Sequence, residues 1–180
     1  MLDMLKVYAV FNRDMDNVVI DLLSGFPVAE LDLERNIFCH TIRNLFTHIA
    51  RAGWYYQAAI RRISYGKYLD DIGTYEEVIP KMESSFAAAA RALKEVDERL
   101  VALTQLIPAR DLALTMNNFQ MYDGRVAVVS IGEVLLQHMT HQTHHRGQLS
   151  QILDEEGIVH DIGNIWPYVK DAPADGTRLA

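Results

Sequence analysis

The chain has 180 residues, 49% of them apolar and 23% charged, the composition of one globular domain, read here as residues 1–180, with its own hydrophobic core. A formal charge of −7, with no basic cluster beyond Arg61-Arg62, excludes a phosphate-tracking nucleic-acid binder, which needs a concentrated positive face. A single cysteine, Cys39, excludes a disulfide framework and every cysteine-based zinc module.

No stretch approaches the ~18 apolar residues of a membrane span, and the opening residues lack the layout of a secretory leader. A cytoplasmic protein with neither nucleic-acid nor membrane partners is therefore expected.

The first predicted helix covers about 5–23. Leu5, Tyr8, Phe11, Met15, Val18 and Leu22 recur at spacings of three and four, which is one helix face. Ser24-Gly25-Phe26-Pro27 ends it. The second covers about 38–64, with Ile42, Leu45, Ile49, Ala52, Tyr56, Ala59 and Ile63 as its stripe and Gly66 just beyond.

The third, about 75–107, is the most regular. Its stripe runs unbroken from Ile79 through Met82, Phe86, Ala89, Leu93, Val96, Leu100 and Leu103 to Ile107. Thr74 with Glu77 forms a capping box at its start, and Pro108 stops it. Asp123-Gly124, between apolar runs 119–122 and 125–129, predicts a hairpin with both turn residues at positive φ. The fourth helix, about 131–156, opens on a second capping box, Ser130 with Glu133, and closes at Gly157.

Beyond it, Ile162, Ile165, Trp166, Tyr168 and Val169 predict a strap laid over the helices. Four amphipathic helices in so short a chain predict an all-α fold. It is a four-helix bundle with a hairpin-like insertion before the last helix and a C-terminal strap.

The seam of the fourth helix reads Ile131, Val134, His138, His141, His145, Leu149, Ile152. Histidines in mid-seam cost free energy unless their nitrogens find partners, and a metal ion is a partner that suits imidazole. His141 and His145, four apart, lie about 6 Å from each other along a helix axis, and His138 with His141 is a comparable pair. His138 and His145 are about 10.5 Å apart along that axis and cannot share an ion at bonds near ~2.0–2.1 Å. His141 therefore belongs to either pair, and spacing leaves His145 and His138 as alternatives, with His138 alone readable as a core residue.

His48, at the edge of the second stripe, is a better third ligand than His40. Three histidines with open positions resemble a catalytic site more than a closed structural one. His144 and His160 read as surface residues and Cys39 as structural. Glu133 is the nearest acidic candidate. No histidine follows a Glu by three, so a ferritin-like di-iron pattern is absent, as are His-Glu-x-x-His and phosphate-loop motifs.

His141-Gln-Thr-His144-His145-Arg146-Gly147-Gln148 resembles the last-helix signature His-x-x-x-His-Arg-Gly-Gln of the DinB/YfiT-like metalloenzyme family. Leu45-Phe46-Thr47-His48-Ile49 resembles that family's second-helix element. Phe11-Asn12-Arg13-Asp14-Met15-Asp16 is similar to its aromatic-Asn-Arg-Trp-Met-Asn stretch, with Asp14 and Asp16 departing from the pattern.

The resemblance implies His48, His141 and His145 as ligands of a divalent ion, zinc or nickel, with His138 outside the set, in a bundle that is often a homodimer. It also implies a small-molecule substrate, with a low-molecular-weight thiol and S-transfer favoured over hydrolysis. The alternative is a non-catalytic, metal-binding dimeric stress or interaction protein. Arg146 is expected in a structural ion pair, Gly147 at a close approach of a neighbouring helix, and Gln148 in a hydrogen bond behind a ligand.

Overall fold

In a computed structural model describing residues 1–62, 69, 72–121 and 123–169, the first helix, α1, spans Leu2–Leu23. Its core side carries Leu5, Ala9, Asn12, Asp16, Ile20 and Leu23, whereas Val18, expected in the stripe, is 40% exposed. The inward face passes through two polar residues, and a scan for apolar spacing steps over them. After the turn at Ser24-Gly25 comes a short helix the pattern did not announce, α2 (Val28–Leu31), which buries Leu31.

The next helix, α3, is shorter than expected, Ile42–Ile60. The Thr41 hydroxyl accepts from the Asn44 N–H at 3.0 Å, so it caps the helix there. Cys39 and His40 have φ of 69° and 64°, which no α-helix accommodates. Ile63 and Gly66, assigned to the end of this helix, lie outside the described residues.

The expected third helix is two: α4 (Tyr75–Glu83) and α5 (Phe86–Leu106). Ser84 donates back to the Lys81 carbonyl and Ser85 accepts from the Ala88 N–H. Each hydroxyl thus offers the backbone a partner outside a continuous helix. The break keeps the apolar phase, and all nine stripe residues from Ile79 to Ile107 are buried.

The hairpin pairs β1 (Thr115–Gln120) with β2 (Val126–Ser130) antiparallel, Thr115 opposite Ser130 and Gln120 opposite Val126, with an irregularity between Met116 and Phe119. Its connection is longer than the two-residue turn expected. Met121 N–H bonds the Arg125 carbonyl and Gly124 N–H bonds Met121. Positive φ is needed only at Gly124 (83°), not at Asp123, as in hairpins that end a type I turn on a left-handed residue. Tyr122 lies outside the described residues.

Ser130 ends β2 and caps α6 (Ile131–Glu155), its hydroxyl accepting from Glu133 N–H while the Glu133 carboxylate accepts from Ser130 N–H. Glu133 is thereby committed to the capping box.

The helices α5 and α6 each pack against both α1 and α3, so the core lies between these four. The strap is anchored at Ile162, which is buried, and at Tyr168, whose hydroxyl donates to Asp14 at 3.1 Å. Trp166 and Val169, expected in the apolar patch, face outward. Among the described residues, no helix is long and apolar enough to cross a membrane.

Candidate metal centre

His48 comes from the middle of α3, and His141 and His145 from consecutive turns of α6. Packing of α3 on α6 brings the three together: one ring nitrogen from each lies within 4.8 Å of the other two. His48 Nε2 is 3.0 Å from His141 Nε2, and His145 Nε2 is 3.2 Å from the same atom.

These distances test the fit of an ion. Bonds of about 2.0–2.1 Å at a tetrahedral angle place donor atoms about 3.3 Å apart. His145 Nδ1 lies 2.7 Å from Gln148 Oε1. An amide oxygen only accepts, so the ring's proton sits on Nδ1 and the Nε2 lone pair faces His141. Burial depresses the pKa of all three rings, with neighbouring imidazoles adding to the effect, to about 4 at His48 and about 3 at His141. Neutral imidazoles with converging lone pairs are the form a cation takes.

Phe38 covers this cluster. Its ring stands edge-on to His48 at 5.0 Å and stacks on His145 at 5.6 Å, while 55% of the residue remains exposed. No periodicity marked it, since it belongs to the irregular bend before Thr41.

His138 is in the seam but not in the cluster. It is fully buried, with neither ring nitrogen hydrogen-bonded, and burial pushes its pKa down to about 3. It fits only because α3 has Gly53 opposite. A Cβ there would come within 2.8 Å of His138 Nε2 and 2.6 Å of Val96 Cγ1. Gly53 is therefore the close-approach glycine of this interface. A Cβ at Gly147, where that role was expected, would meet nothing within 4 Å. His144 is exposed, as expected. The His160 side chain is not: it is largely buried, its Nε2 3.1 Å from the Ser150 carbonyl oxygen.

Behind the cluster runs a buried polar network. Arg146 donates through Nη1 to Asp16 at 2.9 Å, through Nη2 to Asn12 at 2.8 Å, and through Nε to the Ile162 carbonyl at 3.2 Å, with Phe11 under its guanidinium at 5.0 Å. The expected ion pair is thus present, and Asp16, one of the two departures in the first helix, supplies its negative charge. Asn12 donates to Gln142 and to the Met139 carbonyl, and Gln142 donates to Asp97 on α5.

Burial and the neighbouring Asp16 charge hold Asp97 well above the usual carboxylate range. Burial raises Asp16 as well, but Arg146 opposes it. Of the two carboxyls, Asp97 is pushed further toward its neutral form, because Arg146 pairs directly with Asp16. Sequence reasoning missed Asn12, Asp97 and Gln142, although polar residues at core spacing on α1, α5 and α6 were the available signal.

Over residues 1–165 the chain matches the family model described as DinB family. It belongs to the DinB family. Comparison with curated proteins and with solved structures gave no match. The DinB assignment rests on most of the chain, and the three-histidine cluster falls within the matched residues.

Proposed function

We propose that this DinB-family chain is a metal-dependent enzyme built on a four-helix bundle, with His48, His141 and His145 holding one divalent ion, zinc or nickel. The observation that carries the reading is the convergence of three imidazole nitrogens from two helices within 4.8 Å. A bound ion would supply Lewis acidity, favouring the deprotonated form of a water or thiol ligand.

The chain's own groups do the rest. Gln148 fixes the His145 tautomer, Phe38 limits water on the open side, and Gln142 and Arg146 tie the α6 turn bearing His141 and His145 to α1 and α5.

Among the described residues, no carboxylate joins the three imidazoles within that reach, so a hydrolase would lack a general base at the ion. Thiol S-transfer needs none if the thiol reaches the ion as thiolate, and it is the reaction we favour. A small thiol and an electrophile are then the substrates, and a homodimer is the expected assembly.

The test is elemental analysis of purified protein. About one divalent ion per chain is expected, and His48→Ala, His141→Ala and His145→Ala should each lose it while His138→Leu keeps it. Retention in the His145 variant with loss in the His138 variant would overturn the assignment.

A second reading, a non-catalytic metal-braced dimer, draws on the fact that the ligands join α3 to α6. An ion with that role should set the melting temperature of the protein. If the metal-free protein melts close to the loaded one, the bracing reading fails.

A further inference from the structure

Beside the metal cluster, α3 presents a second face. Asn44, His48 and Arg51 follow one another at spacings of four and three, so they lie on one side of the helix. They line an open cleft of about 390 Å³, together with Cys39, Arg43 and Glu83. His48 belongs to both the cleft and the cluster, so a molecule in the cleft lies against the metal site.

Of the cations here, Arg43 is committed, its Nε bonding Asp32 Oδ1 at 2.5 Å. Arg51 is held only loosely, Nη1 to Glu83 Oε1 at 3.6 Å, with both side chains about half exposed, at 45% and 51%. A pair so placed contributes little to stability. The Arg51 charge nonetheless reaches both the Cys39 thiol and the His48 ring. Three neutral imidazoles would leave the double charge of an ion uncompensated, so cleft and ion together form a positive field.

We propose that this cleft is a substrate subsite for an anionic group, a carboxylate or a phosphate, which Arg51 takes while the same molecule's donor atom faces the cluster. This rests on the metal-enzyme reading above. A planar guanidinium accepts either oxyanion through paired N–H bonds. Glu83 is the internal competitor that the anion displaces.

The test uses the full chain reconstituted with cobalt(II), whose thiolate absorption band reports binding without any turnover. The probes are mercaptosuccinate and its uncharged diamide. In the native sequence the carboxylate form should bind about tenfold more tightly. Arg51→Gln should erase that preference while leaving the diamide unchanged, and Glu83→Gln should strengthen it. Arg51→Lys should retain part of it, as a point charge lacks the paired geometry. Competition by inorganic phosphate against succinate then tells which oxyanion the cleft prefers. Equal affinity for the two probes, or a preference that survives in Arg51→Gln, would overturn the subsite alone. No thiolate band with either probe would overturn the metal reading and the subsite with it.

Discussion

Arg146 and Asp16, 130 positions apart in the chain, meet at 2.9 Å inside the protein with both side chains almost entirely buried. Removing one member of such a pair strands the other charge, which costs about 3–5 kcal/mol. Arg146→Met should show a loss of that size in urea denaturation of the metal-free protein. Asp97→Asn should differ: the amide keeps an acceptor for Gln142 and a donor toward Asp16, as the neutral acid does, so the change should stay within about 1 kcal/mol. A loss at Asp97→Asn as large as at Arg146→Met would mean that Asp97 is the ionised partner.

Gly53 and Gly147 should respond to alanine with opposite signs. At Gly53 the new methyl meets Val96 and His138, and overpacking of this kind costs about 1–3 kcal/mol. At Gly147, inside α6 with open space around it, alanine should stabilise by about 1 kcal/mol. Thermal melts of the two variants decide this directly.

The buried histidines tie stability to pH. Burial pushes the pKa of folded His138 down to about 3 from an ordinary value of 6.5. Between those values the unfolded chain holds a proton that the folded chain does not. The stability from neutral His138 is therefore complete above about pH 6.5 and declines by about 1.4 kcal/mol per pH unit below it. His48 and His141 act in the same direction, whereas Asp97, raised by burial, acts in the opposite one. His138→Leu should make the dependence shallower by about 1.4 kcal/mol per unit between about pH 6 and pH 4. An unchanged slope would show that His138 is charged or solvated in the folded state.

Ion affinity should follow the same rings. Free imidazole loses metal as pH drops below about 6. With His48 held near 4 and His141 near 3, protons compete only at lower pH. Zinc titrations should find nearly constant affinity from about pH 8 to pH 5, then a steep fall as pH drops through about 4. A fall centred at pH 6.5 would indicate rings as exposed as free histidine.

The residues that could be read from the sequence are those whose chemistry repeats at helical spacing. The Ile79-to-Ile107 stripe is buried at every position, and the His141/His145 pair faces the core as its spacing of four requires. Non-periodic features escaped. Ser84-Ser85 breaks the third helix because hydroxyls bond the backbone locally, without disturbing the phase of the apolar residues. Asn12, Asp16, Asp97 and Gln142 sit at core positions as polar residues whose partners lie on other helices, so no single-helix pattern pairs them. Phe38 reaches the cluster from a bend with two left-handed residues, Cys39 and His40, and no local spacing encodes where such a bend points. The exchange of roles between Gly53 and Gly147 has the same origin, because which glycine faces a neighbour is decided by tertiary packing.

The division of the cluster between two helices would bear on how fast a bound ion is traded. With His48 on α3 and the other two imidazoles on α6, departure of an ion does not need a tunnel to open. An ion held there would lose a donor whenever the two rods part by a bond length or two. Chelator-driven release would then keep time with the breathing of that helix pair, and the lifetime of the bound state would be a property of the scaffold as much as of its donor atoms.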